Sequence, residues 1–169
     1  MLTIRPEVAA DISAIRHVHT LAFGRVNEAD VVDVLRCAGT LTVSLVAMRA
    51  QCVVGHIAFS PVEIKSDAST IAAIGLAPLA VLPAYQRQGI GSQLVQAGLA
   101  TCGEVGYGVV VVLGHPHYYP KFGFTPSKPY GIEWEHTVPE EVFMVKELQP
   151  GALAQTRGVV HYDPAFHEV

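Results

Sequence analysis

YQRQGIGSQL, Tyr85–Leu94, decides how this chain is read. An apolar β-like segment, Ile71–Leu82, closes at Pro83 just before it. A helical pattern, Gly89–Val105, follows, with Ile90, Leu94, Gly98 and Cys102 on one face. Glycine costs a helix interior about 1 kcal/mol relative to alanine, so Gly89 and Gly91 at the helix entrance need a reason. The first N–H groups of a helix lack backbone partners and lie at the positive end of its dipole. Glycine lets those groups turn toward an anion with no Cβ in the way. A tight strand–helix turn without a ligand satisfies the same pattern. Two nucleotide readings fail at named positions. A P-loop needs Gly-Lys-Ser/Thr, and Gly91 is followed by Ser92 and Gln93. A dinucleotide GxGxxG needs a small residue where Leu94 stands.

Working outward, Leu2–Arg5 reads as a short strand ended by Pro6. Ile12, Ile15, Val18, His19 and Ala22 recur at helical spacing from Asp11 onward. Asn27 is the expected N-cap of a second helix, which Gly39 stops. Leu41–Arg49 and Cys52–Ile64 are β-branched runs joined by Ala50-Gln51, a hairpin signature. Lys65–Ser69 is a polar loop. Val109–Leu113 is a continuous apolar strand, and with the strand and helix before it forms a unit that predicts parallel pairing and a right-handed crossover. HPHYYPKFGF, residues 115–124, predicts one or two helical turns ended by Gly123. Val142–Leu148 and Gly158–Tyr162 complete the strands.

A chain of 169 residues, half of them hydrophobic, suggests one domain with a substantial core. The formal net charge is −4, from 11 Lys and Arg against 15 Asp and Glu, which offers no general field for nucleic acid. Three cysteines, Cys37, Cys52 and Cys102, without a CxxC pair fit reduced thiols rather than a disulfide framework. No apolar run is long enough to span a bilayer as a helix, and the N-terminal segment lacks the apolar core of a secretory signal. A cytoplasmic protein with no membrane partner is the expectation. The eight histidines form no metal-binding motif, so no metal is expected.

QRQGIG, Gln86–Gly91, resembles the Q/R-x-x-G-x-G/A motif of the GNAT superfamily of N-acetyltransferases. LAPLAVLPAY before it resembles that family's fourth strand, and YYPKFGF, Tyr118–Phe124, its FYxKxGF segment. The order of elements matches over most of the chain, and the C-terminal stretch is similar to that of the YhbS-like subgroup. The resemblance implies one domain over 1–169, of mixed α/β class. Its sheet would be largely antiparallel, of about six to seven strands flanked by helices, with a splayed parallel strand pair holding acetyl-CoA. It implies pyrophosphate binding by Arg87, Gln88, Gly89, Ile90, Gly91 and Ser92, with Gln86 bracing the loop. The pantetheine arm would pair with Leu79, Ala80 and Val81. Pro78, unable to donate to a ladder, supports a gap there on physical grounds.

The resemblance also puts Tyr119 at the general-acid position. A phenol with reference pKa of about 10 stays protonated at neutral pH and can donate to a departing thiolate. The base is open: no carboxylate lies between Ile71 and Leu82, and His115 and His56 are the histidine candidates. The implied partner is a primary amine on a small molecule or peptide, and a homodimer is an open alternative to a monomer. A non-catalytic acyl-CoA sensor is the second reading. The acceptor would be selected by the first two helices, Lys65–Ser69 and Pro126–Pro139. In the last of these, Glu133 and Glu135 flank Trp134, either as a solvated acidic loop or as an attraction for a cationic amine.

Overall fold

The structure, a computed structural model, describes residues 1–168. The strands are β1 Leu2–Pro6, β2 Val43–Arg49, β3 Cys52–Lys65, β4 Thr70–Val81, β5 Val109–Leu113, β6 Thr125–Pro126, β7 Ile132–Trp134, β8 Phe143–Glu147 and β9 Gly158–His161. The α-helices are α1 Ile12–Phe23, α2 Asn27–Ala38 and α3 Ile90–Val105. Two compact units emerge. The first comprises Met1–Ser60, Ala77–Thr101 and the residues from Pro164 on; the second comprises Pro61–Leu76 and Cys102–Asp163. β3, β4 and α3 each contribute residues to both.

In the first unit β2 pairs antiparallel with β1 and with β3. The hairpin closes as expected: Arg49 faces Cys52, and Ala50 and Gln51 both take positive φ, 50° and 63°. This primed-turn geometry matches the natural twist of paired strands. β1 ends at Pro6, which is itself the strand's last paired residue, opposite Leu45, so the strand runs one residue past Arg5. Gly24 and Gly39, at φ 69° and 75°, end α1 and α2 in left-handed caps. Asn27 is the first residue of α2 rather than its N-cap, which is Val26. Ile15, Val32, Val46 and Ala58 form a buried cluster that joins the helices to the strands. α3 packs closely against β3: a Cβ added at Gly98 would lie 2.3 Å from Phe59 Cε1, so only glycine fits at that crossing.

In the second unit Ile74 and Gly75 of β4 pair parallel with Val110 and Val111 of β5, as the strand–helix–strand order predicts. This parallel ladder is two residue pairs long among the described residues. β5 pairs antiparallel with β8 along its whole length, and β6 adds to β8. The end of β3 pairs with β9, and β9 pairs parallel with β7. Val62, Ile64, Val109, Val111, Phe143 and Val145 belong to this unit's core. β6 and β7 lie in or beside Pro126–Pro139, which the sequence presents only as an acceptor-selecting segment. The Cys102 thiol is fully buried, and burial pushes its pKa up to about 12.

Candidate active site

The glycine loop is built entirely within the first unit. After Val81, a 3₁₀ turn at Pro83–Tyr85 redirects the chain, with Tyr85 N–H donating to the Leu82 carbonyl at 2.8 Å. The Gln86 side chain then reaches back and donates Nε2–H to the Val81 carbonyl at 3.0 Å, the bracing role its position suggests. Arg87 takes φ 61° and Gly89 φ 83°. Left-handed backbone is uncommon outside glycine, so the surroundings must hold Arg87 in place. The first helical bond runs from Gln93 N–H to the Gly89 carbonyl at 3.1 Å, so the amides of Ile90, Gly91 and Ser92 precede it. Ile90 is buried and pins the helix start, while Gln86–Gly89 are exposed. A Cβ built on Gly89 meets no heavy atom within 4 Å, so this face of the loop is open to a ligand. Leu79 and Val81 are half-buried and Ala80 is buried, on the strand leading into the loop.

One residue of this site escaped the sequence reading. Arg49, at the β2–β3 hairpin, donates Nη1–H to Gln88 Oε1 at 2.7 Å, and its guanidinium lies 5.9 Å from the Tyr85 ring centre. A contact across 39 positions leaves no local sequence signal.

Tyr119 and His115 lie together in the second unit. The His115 carbonyl accepts from Tyr118 N–H at 3.1 Å and from Tyr119 N–H at 3.4 Å, opening the 3₁₀ turn Tyr119–Phe122. Gly123 ends that turn at φ 94°. Tyr119 is only 8% exposed, and its ring occupies the space a Cβ at Gly114 would need. Phe124 packs edge-on against it at 5.7 Å. Burial, then the neighbouring Tyr118, pushes the Tyr119 phenol well above its ordinary pKa, so it keeps its proton at neutral pH. The His115 side chain is exposed. Tyr118 stacks edge-to-face with Phe122, and Lys121 Nζ sits 4.2 Å above its ring, consistent with packing roles.

His56 proves to be a core residue of the first unit. Its Nδ1 lies 2.7 Å from His19 Nε2, and its Nε2 lies 2.7 Å from Ser44 Oγ. Ser44 spends its only proton on Glu7, so it accepts from His56 Nε2–H. His56 Nδ1 therefore accepts from His19 Nε2–H, and His19 Nδ1 carries no proton. Both imidazoles are fully buried, and both ring nitrogens of His56 are engaged. Burial, then the cost of a second positive charge beside the His56 ring, pulls His19 down to about 3. Burial lowers His56 too, against the opposing pull of Glu7. Burial alone would raise Glu7, but the His56 ring 3.8 Å away, bonds from Arg36 and Ser44 and the Arg36 charge hold it well below the usual carboxylate range. Arg36 donates to Glu7 at 2.8 and 3.1 Å. Among the described residues no group of three or more His, Cys, Asp or Glu side chains gathers as a metal site, and no helix is long and apolar enough to cross a membrane.

A glycine loop of this form, feeding a helix from a strand with a two-pair parallel ladder, has a counterpart among known families. Residues 41–126 match the family model of the acetyltransferase (GNAT) domain. The chain belongs to the GNAT acetyltransferase family. This acetyltransferase is 36% identical over 167 residues to the N-acetyltransferase YhbS of Escherichia coli K12, covering 98% of this chain and 99% of that one. The crystal structure of E. coli YhbS in complex with CoA superposes with a TM-score of 0.91, covering 98% of this chain and 91% of that one. A GNAT family acetyltransferase from Brucella melitensis, in complex with acetyl-CoA, superposes with a TM-score of 0.82 at 36% identity, covering 98% of each chain. The mixed α/β architecture is thus that of the family, and the chain is an acyltransferase.

Proposed function

We propose that the protein, acting as one domain over 1–169, transfers the acetyl group of acetyl-CoA to a primary amine of a small molecule or peptide by direct attack on the thioester. The observation that carries this is the glycine loop. Its left-handed backbone and open Gly89 face supply amides and the positive end of a helix to a pyrophosphate. The CoA and acetyl-CoA complexes of two relatives at 36% identity support the same ligand here. In this reading Arg87, Gln88, Gly89, Ile90, Gly91 and Ser92 hold the pyrophosphate, and Leu79, Ala80 and Val81 offer backbone groups to the pantetheine arm. When bound, acetyl-CoA supplies an activated acetyl carbon: the amine nitrogen forms the new C–N bond as the C–S bond breaks. Tyr119 gives its proton to the leaving sulphur, a task suited to a phenol that burial keeps protonated. His115, exposed beside it in sequence, takes the proton the amine sheds. Three free thiols support a cytoplasmic setting.

Thermal unfolding with acetyl-CoA, NAD and ATP tests the ligand. At free acetyl-CoA about 100-fold above its dissociation constant, mass action stabilises the native state by about 2.7 kcal/mol. Equal stabilisation by NAD or ATP would refute the assignment. Gly89→Val should abolish the acetyl-CoA shift; its side chain meets only the open face of the loop but is strained at φ 83°, so circular dichroism and melting without ligand check that the variant folds. Thiol release across polyamines, aminoglycosides, amino acids and peptide N-termini then identifies the acceptor. Tight acetyl-CoA binding without turnover on any amine would turn the reading into that of an acyl-CoA sensor.

A further inference from the structure

The first unit contains six arginines and no lysine: Arg5, Arg16, Arg25, Arg36, Arg49 and Arg87. Four are neutralised. Arg5 pairs with Asp11 at 2.7 Å, Arg16 with Asp30 and Asp33 at 2.7 and 2.9 Å, Arg25 with Glu28 at 2.5 Å, and Arg36 with Glu7 at 2.8 Å. Among the described residues the two without a carboxylate partner are Arg49 and Arg87, and both stand at the glycine loop. A unit that pairs its other four arginines with carboxylates leaves two unpaired at one place.

Arg49 differs from an ordinary solvated arginine in being held. It spends one N–H on Gln88 and lays its plane near Tyr85, so it grips the loop on both sides of the left-handed Arg87. Its remaining N–H groups have no protein acceptor among the described residues. A guanidinium fork fixed in this way is suited to a phosphate, which it can meet with two parallel hydrogen bonds. Gln88, the residue that fixes it, lies within the loop proposed to hold the pyrophosphate. The geometry points to Arg49 as a direct phosphate ligand of the cosubstrate, brought by the β2–β3 hairpin to a site otherwise made by the β4–α3 loop. This rests on the acetyl-CoA reading above. CoA carries two phosphate sources, the pyrophosphate and the phosphomonoester on its ribose, and dephospho-CoA lacks the second.

The test is calorimetric titration of wild type, Arg49→Met and Arg49→Gln with CoA and dephospho-CoA, at low and moderate salt. Both variants should fold, which circular dichroism and melting check, because Arg49 is half-exposed and its one hydrogen bond is at the surface. Losing a charge-assisted contact raises the dissociation constant for CoA by about tenfold or more. The variants should also show a shallower salt dependence than wild type, because one screened cation has gone. Equal losses for both ligands assign Arg49 to the pyrophosphate, and a loss confined to CoA assigns it to the ribose phosphate. CoA affinity within twofold of wild type would overturn the proposal. So would weaker binding with an unchanged salt dependence, which would make Arg49 only a brace for the loop. If wild type itself failed to bind CoA, the acetyl-CoA reading would fall instead.

Discussion

Gly98→Ala should destabilise the protein, although alanine is the better helix former. The position lies within α3, where replacing glycine by alanine ordinarily gains about 1 kcal/mol. Here the new methyl would sit 2.3 Å from Phe59 Cε1 and 2.7 Å from Cζ, while ordinary contact begins near 3.4 Å. Ring or helix must therefore retreat by about 1 Å. Phe59 is fully buried, so its ring has no solvent to move into. Overpacking of this kind costs about 1–3 kcal/mol and sometimes more. An overlap of about 1 Å against a ring that cannot move puts the cost in the upper part of that range, about 2–3 kcal/mol, so after the propensity gain the net loss is about 1–2 kcal/mol. In a chain of this length that lowers the melting temperature by roughly 2–8 °C. Gly103→Ala in the same helix is the control: a Cβ there meets nothing within 4 Å, so it should gain roughly 0.5–1 kcal/mol. Urea unfolding followed by circular dichroism measures both. Phe59→Leu, which makes room, should be less damaging in the Gly98→Ala background than alone. If Gly98→Ala were as stable as wild type, the steric argument would be refuted.

Tyr119→Phe should lower the turnover number by about 100- to 10,000-fold with acetyl-CoA affinity within a few-fold of wild type, because the phenol acts only as the thiolate leaves. Steady-state kinetics with a separate binding titration decide this, and a wild-type rate would remove Tyr119 from the chemistry. Stability should fall as pH drops from about 7 toward 5. His19 and His56 are held neutral in the fold but take up protons near 6.5 when unfolded, so the unfolded state gains protons first. Each histidine contributes a slope of about 1 kcal/mol per pH unit in that window. Below the ordinary carboxylate range the depressed Glu7 adds a loss of the same sign. Urea midpoints should therefore slide with pH in wild type and less steeply in His19→Gln; a flat wild-type profile down to pH 5 would contradict the buried network.

Local signals made most of the fold legible. Ala50-Gln51 between β-branched runs gave the hairpin, Gly39 and Gly123 gave the ends of a helix and a turn, and the glycine loop lay where strand met helix. Boundaries moved by one or two residues, as at β2, which starts at Val43 rather than Leu41. What stayed hidden was non-local. β6 and β7, two and three residues long, exist because distant β8 and β9 offer them partners. Arg49 joins the site only when the hairpin folds back onto the loop. His56 looked like a strand histidine open to chemistry, and only the convergence of Glu7, Ser44 and His19 makes it a core residue.

The hairpin that carries Arg49 also carries Cys52, directly opposite it in the strand register. Cys52 and Cys37 are exposed, whereas Cys102 is sealed within α3 with a thiol that burial keeps protonated. Maleimide chemistry on the folded protein is thereby confined to two sites, and replacing Cys37 leaves one. A fluorophore attached there is bonded next to the cation that grips the glycine loop. The native sequence thus contains its own attachment point for an optical reporter of ligand arrival.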